Sequence, residues 1–166
     1  RTIRLRVTVI PALRLNADAR IGRYSVATGT WSWFGYRLTT TTTDGDWMGL
    51  SEITALDANT VAVIERDKLN GPNARVKRVY AVDVPAKGAP AVNLPILPKR
   101  LVVDVLPALR STRGWTQEKL EGFTVSGGTM VAVTDNDGLD DATGETVFLR
   151  LGALATPWCA TGPGRA

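Results

Sequence analysis

Glu121-Gly122-Phe123-Thr124-Val125, the turn Ser126-Gly127-Gly128-Thr129, Met130-Val131-Ala132-Val133-Thr134 and the triplet Asp135-Asn136-Asp137 decide how this chain folds. The same order occurs earlier as Glu52-Ile53-Thr54-Ala55-Leu56, the turn Asp57-Ala58-Asn59-Thr60, Val61-Ala62-Val63-Ile64 and the triplet Glu65-Arg66-Asp67. Each block is a β-branched, apolar run led by a glutamate, then a tight turn, a second such run and a charged triplet, which is hairpin patterning. A polar loop and a further strand follow both times, over 76–84 and over 146–151. Glu52 and Glu121 are 69 residues apart, and Asp67 and Asp137 are 70 apart. Within a unit 13 or 14 residues separate the glutamate from its triplet. That is the length of two short strands and a turn, so both features are expected at one end of the hairpin.

Working outward, Ile3 to Ile10 alternates and is β-branched, and Pro11 stops it. Ile21–Val26 and Trp31–Leu38 flank Ala27-Thr28-Gly29-Thr30 as another hairpin, and the threonine run 39–43 leads into a loop through Asp44-Gly45-Asp46. Between the two repeated units, 85–119 holds Pro85, Pro90, Pro95, Pro98 and Pro107, which argues against a long helix and leaves only Thr116–Leu120 as a short helical turn. The expected architecture is all-β: a partial β-propeller of antiparallel blades over residues 1–151, about three to four blades, followed by an irregular tail over 152–166. A β-sandwich is the alternative, because strand spacing alone does not separate the two.

The 166 residues suffice for one domain with a core, and the hydrophobic content of 44% is ordinary. The net charge of +4 is unevenly spread: residues 1–37 carry seven arginines against Asp18, and 135–145 carry five acids with no base. The arginines alternate with apolar residues, as in Arg4-Leu5-Arg6-Val7, which reads as a half-buried strand and argues against nucleic-acid binding. Histidine is absent, which excludes a serine or cysteine triad, a histidine-bound zinc and a histidine base within the chain. Cys159 is alone and reads as an inert thiol. No apolar run has the length of a membrane span. The chain opens on Arg1 without an initiator Met, which reads as a cut or processed product and leaves export open.

Gly49-Leu50-Ser51-Glu52-Ile53 with Val63-Ile64-Glu65-Arg66-Asp67, then Lys77-Arg78-Val79-Tyr80, then Leu120-Glu121-Gly122-Phe123 with Val133-Thr134-Asp135-Asn136-Asp137, resembles the C-terminal half of the esterase-like phytase family over residues 21–151. The resemblance implies a β-propeller, a secreted or periplasmic setting, hydrolysis of a phosphorylated or ester small molecule, and further blades of a parent chain as partners. The shorter length departs from the family pattern and bears on ring closure.

Carboxylates on loops at one end of a β-structure suit Ca²⁺, which takes six to eight oxygens and which could anchor a phosphate and activate water. On this reading Glu52 and Glu121 are the catalytic carboxylates and Glu65, Asp67, Asp135 and Asp137 the metal ligands. Arg66, Lys68 and Lys77 are then the substrate clamps, Arg66 by a bidentate fork. The plainer reading of the same residues is that the glutamates accept backbone hydrogen bonds and the triplets are solvated turns. The alternative function is a non-catalytic secreted binding module with structural calcium. Asp135-Asn136-Asp137-Gly138 is not an EF-hand, since aligning its glycine puts Val133 at the first ligand position. Ser51 lacks the second glycine of a nucleophile elbow. Trp31 and Trp33 are expected to pack on one strand face, and Trp47 and Trp115 precede the two units as candidates for stacking on substrate.

Overall fold

A computed structural model describes residues 3–9 as backbone, and 18–89, 93–136 and 145–155 in full. Among these, ten strands form three antiparallel meanders. The first sheet is β1 (Ile3–Val9), β2 (Ala19–Ser25) and β3 (Thr30–Tyr36), in that order. The second is β4 (Met48–Ala55), β5 (Thr60–Asp67), β6 (Lys77–Asp83) and β7 (Lys99–Asp104). The third is β8 (Lys119–Ser126), β9 (Thr129–Asp135) and β10 (Phe148–Ala153). No helix among the described residues is long and apolar enough to cross a membrane.

The second sheet lies between the other two, and β5 shows why its sequence is apolar without a break. Val61 and Val63 pack with Ile21, Phe34 and Tyr36 of the first sheet, while Ala62 and Ile64 pack with Leu120, Phe123, Met130 and Ala132 of the third. A strand covered on both faces has no polar side to show, and all eight residues of β5 are buried. Along the other edge of the stack the first strands meet, β4 touching β1 on one side and β8 on the other.

The two repeated units share their strand order, and each carries its glutamate at a β-bulge. Leu50 pairs with Glu65 and Ile53 with Val63, so Ser51 and Glu52 together oppose one residue. Leu120 pairs with Thr134 and Gly122 with Val133, which leaves Glu121 as the extra residue. A bulge re-aims the side chain it holds, and here it does so twice at the matching glutamate.

Three sequence expectations need correction. Residues 85–119 contain a strand, β7, and one short helix, α1 (Leu106–Ser111); Pro107 lies in its first turn, where the missing N–H is not needed. Thr116–Leu120 runs instead into β8. The triplet Glu65-Arg66-Asp67 is not a loop but the buried end of β5. Part of the 85–98 connection also lies along the free edge of β3: the Trp33 and Ala89 main chains bond each other both ways, at 3.2 and 3.1 Å, and the Leu97 N–H donates to the Gly35 carbonyl at 3.0 Å.

The outward face of the first sheet is aromatic. Trp31 and Trp33 stack at 5.1 Å with their planes 13° apart, Tyr24 meets Trp31 at 5.0 Å, and the Arg20 guanidinium covers Trp33 at 4.5 Å. Gly22 is the floor: a Cβ there would lie 2.6 Å from Trp33 Cζ3 and 2.9 Å from Trp31 Cζ3. Gly22→Ala is therefore expected to spread the stack at a cost of about 1–3 kcal/mol. Near-ultraviolet dichroism and the melting temperature check this, and unchanged values for both would mean that the indoles yield freely.

Candidate functional site

The three charges that end β5 each reach a different partner. Glu65 continues the Val61–Val63 side of the strand towards the first sheet. It is fully buried and accepts the Tyr36 phenol at 2.5 Å, the Thr39 N–H at 2.9 Å and the Lys99 ammonium. That ammonium also lies 4.4 Å from the centre of the Tyr80 ring. Burial, and then the neighbouring Glu65 carboxylate, push the Tyr36 phenol well above the ordinary tyrosine range.

Asp67 and Lys77 form a completely buried ion pair. Asp67 also accepts the Arg75 N–H at 2.5 Å and the Val76 N–H at 2.9 Å, and Lys77 donates to the Asp67 and Leu69 carbonyls at 3.1 and 2.8 Å. The pair thus ties β6 and the 68–76 loop to the end of β5. Burial lowers the Lys77 pKa although Asp67 opposes the shift.

Arg66 points the other way, across the seam between the second and third sheets. Its guanidinium pairs with Glu118 at 2.9 Å and Glu121 at 3.4 Å, its Nε donates to the Ser51 hydroxyl at 3.0 Å, and it lies 5.3 Å from the Trp47 ring centre. The Glu121 side chain is 34% exposed and that of Arg66 10%. Glu52 reaches over the same seam, where its Oε2 accepts the Phe123 N–H. Its other oxygen meets no hydrogen-bond donor among the described residues, and Glu52 stands at the margin of a shallow depression of about 210 Å³ between Phe123, Val131, Val133 and Phe148.

Of the residues singled out from sequence, the fold therefore brings Glu52, Arg66 and Glu121 together at one seam. Glu65, Asp67 and Lys77 are held in the buried pairs on the strand. Lys68 is exposed, with its N–H held by Asp46 at 3.0 Å. Asp135 ends β9, exposed and in register with Lys119, and Asp137 lies outside the described residues. Trp47 and Trp115 remain 47% and 44% exposed, each lying over a glycine, Gly49 and Gly71. Sequence reasoning missed Glu118, Tyr36 and Lys99. Tyr36 and Glu118 pair with the second sheet from outside it and Lys99 from β7 within it, with 29 to 52 residues of chain between partners, and no local pattern marks such a contact.

A calcium ion does not fit the buried carboxylates in this arrangement. Lysine ammoniums already neutralise Glu65 and Asp67, and among the described residues no three acidic, cysteine or histidine side chains cluster as a ligand set.

Stacked antiparallel meanders with almost no helix define an all-β class. A family model described as phytase-like, esterase-like activity of phytase, matches residues 9–138; the chain belongs to this family. No curated protein and no solved structure matches the chain.

Proposed function

We propose that the chain is part of a propeller-type hydrolase of phosphoesters or esters, and that its substrate meets the seam formed by Arg66 and Glu121. The observation that carries this reading is that Arg66, the one fork-shaped cation among the sequence candidates, holds Glu121 by its longer, more exposed contact of 3.4 Å. An incoming phosphoryl or acyl oxygen can take over that side of the guanidinium as a charge-assisted bond. Glu121, released, is then a carboxylate within reach of an attacking water, which is the general-base role that histidine cannot fill here. Glu52 acts as a positioning residue, since its bond to Phe123 N–H fixes the bulge on which Glu121 stands. Lys68, exposed at the same strand end, is available to a second anionic oxygen. The meeting of the first strands β1, β4 and β8 supports the blade arrangement, since propeller blades turn their first strands to a common axis. Export to the periplasm or medium, and further blades as partners, belong to the same reading. Calcium, on this reading, would be held by Asp135 and Asp137.

The test is hydrolysis of p-nitrophenyl phosphate and p-nitrophenyl acetate, each with calcium and with chelator. Glu121→Gln is expected to lower kcat by about 10²–10⁴-fold, the usual worth of a general base. Arg66→Ala is expected to act chiefly through KM, and Glu52→Gln to do little, because its amide oxygen still accepts Phe123 N–H. Equal rates for wild type and Glu121→Gln with both substrates would return the seam to a structural role and favour the binding-module reading.

A further inference from the structure

The seam frees one side of one guanidinium, so it takes one anionic group, and the rest of a ligand needs a surface of its own. Two exposed tryptophans stand at the same strand ends, and their settings differ. A Cβ on Gly71 would lie 2.5, 2.6 and 2.8 Å from Cη2, Cζ2 and Cζ3 of Trp115. Near-equal distances to three ring atoms put that position over the ring plane. The indole therefore lies flat on the loop, and with the residue 44% exposed its other face is turned to solvent. Gly71 also has a φ of +50°, so the glycine that the turn favours is the one that leaves room for the ring. A Cβ on Gly49 would instead lie 2.6 Å from Trp47 Cζ3 and 3.5 Å from both of its ring neighbours, the pattern of an approach in the ring plane. Trp47 stands on edge, and the Arg66 guanidinium lies over its ring at 5.3 Å.

The chain ties Trp115 to the seam. The Gly71 N–H donates to the Thr116 carbonyl at 2.7 Å, and Thr116 and Gln117 are buried. Glu118, three residues on and so within about 11 Å of Trp115 along the chain, holds Arg66 at 2.9 Å. The indole rests on a loop of the second sheet and precedes the first strand of the third, which places it at strand ends between two sheets and not on an outer sheet face.

From this setting we infer that Trp115 determines specificity at the seam by stacking on a flat, uncharged ring of the substrate, so that the compounds taken are phosphoesters of phenols with one anionic group. The inference rests on the reading of Arg66 given above. Trp47 has the other role: with Arg66 over its ring it is a positioning residue, which holds the guanidinium by a cation–π contact.

Phenylphosphonate and methylphosphonate carry the same anionic group, differ in the ring and have no ester bond to lose, so they separate binding from turnover. NMR titration of each into wild type, Trp115→Ala, Trp115→Phe and Trp47→Ala, all first shown to melt cooperatively, tests the inference. Wild type is expected to bind phenylphosphonate about 10–100-fold more tightly than methylphosphonate, the usual worth of stacking one ring on an aromatic side chain. Trp115→Ala is expected to abolish that preference and leave methylphosphonate binding unchanged, Trp115→Phe to keep most of it, and Trp47→Ala to weaken both ligands alike. Equal binding of the two ligands by wild type, or a preference that survives Trp115→Ala, would overturn the inference and leave the Arg66 reading standing. A Trp115→Ala variant that loses both ligands alike would also overturn it, by making the indole a cover for the loop around Asp67 and Lys77. Binding of neither ligand by wild type would overturn the Arg66 reading and this one with it.

Discussion

Lys77→Met is expected to lower the unfolding free energy by about 3–5 kcal/mol, the usual cost of removing one partner from a buried ion pair. Methionine fills nearly the same space, so packing is kept while Asp67 loses its counter-charge at a place where no side-chain atom of either residue meets water. The Asp67 and Leu69 carbonyls lose their donor at the same time. Asp67→Asn combined with Lys77→Met removes the stranded charge and is expected to recover part of the loss. Full recovery is not expected, because the amide offers one acceptor oxygen to the two N–H groups of Arg75 and Val76. Urea denaturation measures both variants through a lowered midpoint at constant slope. A loss below about 1 kcal/mol for Lys77→Met would put this pair in the class of solvated surface pairs.

Glu65→Ala is expected to cost a similar amount, about 3–5 kcal/mol, for a different reason: it removes the carboxylate shared by three donors, the Tyr36 phenol, the Thr39 N–H and the Lys99 ammonium, of which Lys99 keeps the Arg37 carbonyl and Thr39 Oγ1 as acceptors but loses its counter-charge. Two of these belong to the first sheet and its exit, so the variant is also expected to loosen the first sheet from the second. Hydrogen exchange at β2 and β3 would show it. Tyr36→Phe removes one of the three and is expected to cost about 1.5–3 kcal/mol, as for a hydrogen bond to a charged group. Its pH dependence has a definite sign. The folded phenol ionises above the unfolded one, which titrates near pH 10, so the contribution of Tyr36 is complete below about pH 10 and declines as the pH rises further. The stability gap between wild type and Tyr36→Phe should narrow above that pH, and a constant gap to pH 11.5 would contradict the cause assigned here.

The hairpins, the turns at 57–60 and 126–129 and the matching of Glu52 with Glu121 were legible in the sequence because they rest on local alternation and turn chemistry, which survive in a single strand pair. The environment of the triplets was not legible. Polar residues after an apolar run usually mean that the strand has left the core, and Glu65-Arg66-Asp67 breaks that rule because Tyr36 of the first sheet, Glu118 and Glu121 at the start of the third, and Lys77 and Lys99 of β6 and β7 in its own sheet all pair with it. The strand β7 was obscured by the prolines around it, although Pro98 and Pro107 fall just outside β7, where no ladder hydrogen bond is needed from them. Of the candidate site, Glu52, Glu121 and Arg66 were singled out in the sequence, and the fold brings the three to one seam. Which carboxylates remain accessible depends on pairings that only the folded chain makes.

The alternating charges at the end of β5 also bear on how the strand finds its place. Val61-Ala62-Val63-Ile64 is apolar on both sides and would sit almost as well if shifted by one residue, since neither face offers it water to avoid. Glu65 and Arg66 remove that ambiguity. A slip of one position would turn the arginine towards Lys99 and a carboxylate towards Glu118 and Glu121, setting like charges against each other on both sides of the sheet at once. The apolar half of the strand supplies adhesion without an address, and the charged half reads like a two-sided key that fits in one alignment.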